Sequence, residues 1–385
     1  MSDPSLRERL ENTHVPADRP AQRRGWAVAQ GAFGERTPRS RRRPIAAAGV
    51  TLALVAALTT VALTPPGAAV ADWVQRVLGD SPPPPRTTLG PLPGGGRMLV
   101  TASGRVWIVE PDGTRRSIAR GAGATWSPRG LFVASWRGTK LTALAPDGRV
   151  AWSQDGLGVV TDARWSPDGN RVAYRRGGAL WMVAGDGSGA RVIDGNARPV
   201  PAAWLPGAGR ALSWVDARGH VTVREPDSGR LVWRSARAVR SARRLAWSVE
   251  GRRVAVIDGS RARVFDRLTG RVSAAAWKDG RVSAAAWAPS GGRLAMIVQA
   301  GAGDLRSLVV LGADGRGERR LFTASRLGAL VWSPAGRTLL VSWPHADQWL
   351  FVPLDARRRL SAVGGLTRRF GGQPTAPEWC CTATR

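Results

Sequence analysis

The sequence predicts an all-β architecture, a seven-bladed β-propeller preceded by one transmembrane helix, and three observations carry that prediction. Seven tryptophans recur at intervals of about forty residues. A tight-turn motif follows each of the first six. An uncharged run of twenty residues stands ahead of the whole array.

From the N-terminus, residues 1–44 form a basic tail with ten Arg against five acidic residues. Residues 45–64, IAAAGVTLALVAALTTVALT, hold no charge. Twenty helical residues at about 1.5 Å each match the ~30 Å hydrocarbon core of a bilayer. Pro44 suits the first turn of such a helix, and Pro65 and Pro66 end it. Arg41, Arg42 and Arg43 abut the span, so the positive-inside rule puts the tail in the cytoplasm and the rest outside. A cleaved leader is the competing reading, because Ala69-Val70-Ala71 has the small-residue pattern of a cleavage site. The long front end and the full-span length of the run favour a retained anchor.

Residues 65–94 read as an amphipathic segment and a Pro-rich linker. Val70, Trp73, Val74 and Val77 share one helical face, and Pro82–Pro85 form a stiff spacer. In the tail, Trp26, Ala29 and Phe33 likewise share a face, suited to the inner leaflet or to a cytoplasmic partner.

Residues 95–385 form the array. Trp126, Trp165, Trp204, Trp247, Trp287, Trp332 and Trp379 are spaced 39, 39, 43, 40, 45 and 47 residues apart. The turns after the first six are SPRG, SPDG, LPGAG, SVEG, APSGG and SPAG, in which Pro, absent from SVEG alone, presets φ and Gly accepts a positive φ. A second set recurs in the other half of each unit: EPDG, APDG, AGDG, EPDSG, DRLTG and GADG. Four short strands in each forty-residue unit are the signature of a propeller blade. The ends are complementary. RMLVTA (97–102) lacks a preceding Trp strand, and Trp379 lacks a following one. A C-terminal strand that completes the first blade closes the ring at seven, with six and eight as the neighbouring counts. Trp277, in a second copy of RVSAAAW, is expected on an outer strand.

The W-S-P-D-G turn at Trp165–Gly169, with RVAYR after it, resembles the repeat of TolB-type, WD-repeat-like bacterial propellers, over about three quarters of the chain. The layout of basic tail, span and propeller also resembles membrane-anchored propeller proteins of GC-rich actinobacteria. The resemblance implies fold; such propellers serve as interaction platforms, substrate gates and occasionally enzymes.

The chain carries 57 Lys and Arg against 28 Asp and Glu, a net charge of +29. Residues 81–385 alone carry 46 basic and 21 acidic residues, or +25. Such a balance suits polyanions, although GC-rich codons also enrich Arg, and an extracytoplasmic domain argues against nucleic acid as the partner. No metalloprotease, nucleophile-elbow or P-loop motif is present, and no Cys/His cluster suggests a metal or cofactor. Asp112, Asp147, Asp168, Asp186, Asp227 and Asp314 read as turn residues rather than as a ring of carboxylates. The candidate binding residues are His345, Asp347, Gln348 and Trp349, on a loop between the second and third strands of the last blade, with Arg357, Arg358 and Arg359 nearby in sequence. Arg368 and Arg369 add to that basic patch. Cys380 and Cys381 are compatible with a bond to each other, with free thiols or with a bond to another chain.

The expectation is a non-enzymatic, membrane-anchored module that binds a protein or an anionic envelope polymer. The alternatives are a transmembrane sensor of anti-sigma layout whose tail holds a regulator, and an envelope hydrolase or lyase using the central funnel.

Overall fold

The computed structural model describes residues 89–381, except 208–209, 260, 277–279, 300–302, 356–358 and 376. The tail, the apolar run at 45–64, most of the linker, Trp277, Arg357 and Arg358 lie outside the described residues. Among the described residues no helix is long and apolar enough to cross a membrane.

Among the described residues, twenty-eight strands form seven four-stranded antiparallel sheets. Six sheets take their strands in sequence order. The first is built from Glu378–Cys380, Arg97–Ala102, Arg105–Val109 and Arg115–Arg120, so the C-terminal strand completes it. Arg97, Met98 and Leu99 pair with Cys380, Trp379 and Glu378. The Trp-bearing strands contact one another around the ring and are therefore the inner ones. They are Glu378–Cys380, Gly123–Trp126, Val160–Trp165, Ala203–Trp204, Arg244–Trp247, Arg281–Trp287 and Leu330–Trp332, in blades 1 to 7.

Local sequence explains the turn after each inner strand. Where Ser follows Trp, its hydroxyl closes the hairpin. Ser127, Ser166, Ser248 and Ser333 Oγ accept the N–H of Phe132, Arg171, Arg253 and Thr338, at 2.9, 2.9, 3.0 and 3.1 Å. Gly169 takes φ of 75°, the left-handed region that a side chain disfavours.

Seven buried apolar clusters sit one at each blade-to-blade seam. The indoles lace these seams. Trp204, Trp287 and Trp332 Nε1 each donate at 2.9 Å to the carbonyl just before the preceding blade's Trp, on Arg164, Ala246 and Ala286. Trp247 reaches the corresponding Ala203 carbonyl through the Ser213 hydroxyl.

The folded unit begins earlier than residue 95. Leu89 and Leu92 are buried in the seam between blades 7 and 1, beside Trp379 and Phe351. The end of the linker is thus part of the propeller, because its two leucines complete the apolar closure. Trp379 Nε1 donates to Gly95 O at 2.7 Å in the same place.

Candidate functional site: the channel and its arginine rim

In each blade the hairpins joining strands one to two and three to four emerge on one face of the ring. The two-to-three loops and the crossovers between blades emerge on the other. The expected binding segment lies on this second face, as the turn Pro344–Ala346 between strands Thr338–Trp343 and Gln348–Pro353.

Its side chains do not converge. Trp349 is wholly buried and Gln348 nearly so, because their strand packs into the closing seam. Trp349 meets the Phe370 ring at 5.4 Å. The reading of these two as ligand-contacting residues is therefore corrected: they are core. Asp347 Oδ1 accepts both Thr367 N–H and Thr367 Oγ1–H at 2.8 Å, which fastens the short helix Leu366–Phe370. His345 and Arg359 are exposed. Cys380 and Cys381 are bonded to each other, against the Ser127 and Pro128 carbonyls of blade 2. Asp112, Asp147, Asp186 and Asp314 each accept the backbone N–H two residues on, as turn residues do. Asp227 differs, for it takes Arg171 and Arg191 across the seam between blades 3 and 4.

The charged groups that do converge lie on the inner strands, at positions one and three before the Trp. Position one holds Glu378, Thr125, Arg164, Ala203, Ala246, Ala286 and Val331 around the ring. Arg164 pairs with Glu378 at 3.2 Å, and Glu378 also accepts the Trp126 N–H at 2.9 Å. One carboxylate thus links blades 1, 2 and 3. Position three adds Asp162, at a bulge with φ of 55°, and Arg244. Enclosure by the channel walls and the positive charge of Arg164 push the Arg244 guanidinium below its ordinary pKa, while Asp162 acts in the opposite direction.

Arg244 ends a basic crossover, RSARAVRSARR (234–244), between blades 4 and 5. The loop is firmly seated. Val239 is buried and its N–H reaches Gly219 O at 2.6 Å; Arg243 N–H reaches Ile257 O at 2.7 Å. His220 Nδ1 donates to Ser235 O at 2.8 Å. Arg240 lies against Gly219, where an added Cβ would come within 2.7 Å of its Cγ, and Gly219 has φ of 89°. Arg234 is neutralised by Asp216 at 2.7 Å. Burial raises the Asp216 pKa, but the His220 N–H and the Arg234 charge outweigh it and hold that carboxyl below its ordinary value. Arg237, Arg240 and Arg243, with Arg218 on the adjoining loop, are exposed and form no ion pair among the described residues.

Sequence reasoning passed over this rim for the denser Arg357–Arg359 triplet. The signal was present: an Arg at every third position of a blade crossover, with no acidic residue between Asp227 and Glu250.

No family model matches the chain, and no curated protein does. Among solved structures it is similar to hydrazine synthase from Kuenenia stuttgartiensis, at 14% identity and a TM-score of 0.50, over 60% of this chain and 76% of that one. It is also similar to the β-propeller domain of Cps50 (Swd1) from Myceliophteria thermophila, at 13% identity and a TM-score of 0.51, over 69% of this chain and 89% of that one. The likeness is one of fold. The chain is a seven-bladed β-propeller.

Proposed function

We propose that this chain is a non-enzymatic, membrane-anchored propeller that binds a protein or an anionic envelope polymer outside the membrane, through the rim around Arg240. One observation carries the reading: among the described residues three arginines of a single crossover fixed by buried Val239, and Arg218 on the adjoining loop, stand without carboxylate partners. Holding like charges together costs free energy that an anionic partner would relieve. Anchoring rests on the apolar run at 45–64 and the arginines ahead of it.

The test uses the full chain in detergent. Retention on immobilised polyglutamate and on envelope extract should fall as salt rises. Arg237→Ala/Arg240→Ala/Arg243→Ala should weaken it about tenfold, taking about 0.5 kcal/mol for each exposed charge pair. A C-terminal tag on intact cells should be removed by added protease. No retention at low salt, or a triple variant that binds equally, would count against the rim. A protected tag would count against the topology.

A further inference from the structure

Two clefts occupy equivalent places on the turn-bearing face, opposite the rim, and they differ in how their arginines are partnered. The cleft between blades 3 and 4 has a volume of about 230 Å³ and is lined by Arg171, Arg191, Arg210 and Asp227 among others. The turn of blade 4 between its third and outer strands delivers Asp227 into it. Arg191 pairs with Asp227 at 2.9 Å, and Arg171 bridges Asp227 and Asp168. Arg210 lies 4.0 Å from Asp168. Every guanidinium there has a carboxylate.

The cleft between blades 5 and 6 is larger, about 440 Å³, and is lined by Arg252, Arg253, Arg271, Arg316, Asp266 and Asp314 among others. Arg271 immediately precedes the outer strand of blade 5, Val272–Ala276, and Ser273 takes the place that Arg191 holds in blade 3. The corresponding turn of blade 6 brings Arg316 to it instead of a free carboxylate. Asp314 Oδ1 accepts its own turn's Arg316 N–H at 3.0 Å. Asp266 is fully engaged: Oδ1 takes the N–H groups of Leu268 and Thr269 at 3.1 Å, and Oδ2 takes Arg252 Nε at 2.6 Å and lies 3.7 Å from Arg253 Nε. Four guanidinium groups and two carboxylates leave this cleft with a net charge of +2. Among the described residues neither Arg271 nor Arg316 has a side-chain partner.

We infer that the cleft between blades 5 and 6 is a binding site for a phosphate or phosphoester group, held by Arg271 and Arg316. Two unpaired guanidinium forks need more acceptor oxygens than one carboxylate supplies, and a tetrahedral oxyanion offers them in matching geometry. The volume leaves room for the alcohol portion of an ester beside the phosphate. The inference does not depend on the rim, which lies on the other face.

Calorimetric titration of the full chain in detergent provides the test, with inorganic phosphate and glycerol 3-phosphate as probes for the free and esterified group, and acetate as the contrast. Either phosphate probe should bind, with acetate at least about tenfold weaker. Arg271→Ala/Arg316→Ala should abolish the binding. Arg316→Asp should abolish it too while the protein melts no lower than wild type, because Arg271 then gains a carboxylate in the cleft. The rim triple variant should bind phosphate like wild type. Absence of binding by both phosphate probes, undiminished binding by either cleft variant, or loss in the rim variant would overturn the inference.

Discussion

Trp332 and Trp165 occupy the same place in their blades but end differently, and the difference sets what each contributes. The indole N–H of Trp332 has Ala286 O, whereas that of Trp165 is buried without a protein acceptor. Trp332→Phe removes a hydrogen bond and leaves the Ala286 carbonyl bare, which should cost about 1–3 kcal/mol. Trp165→Phe removes a donor that had no protein partner, so it should cost less. Denaturant melts of the two variants check this; equal losses would mean that the N–H contributes nothing and that ring volume dominates. The tryptophans themselves were legible from their period. Their acceptors were not, since those of Trp204, Trp287 and Trp332 lie on the preceding blade, about forty residues away. Trp349 misled for a related reason. Its loop is polar in sequence, but QWLFVP has no polar–apolar alternation, the pattern of a strand buried on both faces.

The turns were the most legible elements, because W-S-P-x-G states its own hydrogen bonds. The helix Leu366–Phe370 was not, being too short for any periodicity and bounded by Gly365 and Gly371. It matters because the closing strand follows it. Truncation before residue 378 removes that strand, strips the pairing edge of Arg97–Ala102 and exposes the seam around Met98 and Phe351. The expected outcome is aggregation, since an unpaired strand edge templates association. Trp379→Ala leaves the backbone pairing intact and should cost about 3–5 kcal/mol by cavity formation. Size-exclusion and thermal melts distinguish the two. A monomeric truncated chain that melts like wild type would show that the closing strand is dispensable.

For the whole molecule, charge is the governing quantity. Burial alone would raise the pKa of Asp168, Asp216, Asp227 and Asp266. Hydrogen bonds and neighbouring arginines outweigh it and hold all four below their ordinary value of 3.8. A depressed carboxylate contributes stability that is present above the unfolded value and lost as pH falls through the folded one. Stability should therefore be flat above about pH 5 and fall below pH 3.8, where repulsion among the arginines also goes unopposed. Tryptophan fluorescence against pH follows it. Asp227→Asn should shallow the acid limb while lowering stability at neutral pH, because Arg171 and Arg191 lose their shared partner. Blade count and closure were readable because a repeat multiplies its own signal. The partnering of charges was not, since like-placed turns such as EPDSG and GADG each present an Asp, but Asp227 takes arginines of the preceding blade while Asp314 takes its own turn's Arg316 N–H.

The pairing of the first blade with the last strand also sets a clock on synthesis. Trp379 and Gly95, which meet in that seam, are 284 residues apart. At ribosomal rates of roughly 5–20 residues per second, the opening strand waits roughly 15–60 s for its partner. During that interval the strand Arg97–Ala102 displays a bare inner edge, which the strand Glu378–Cys380 afterwards covers. A chaperone or protease reading that edge can therefore tell a finished ring from an interrupted one without inspecting any other blade.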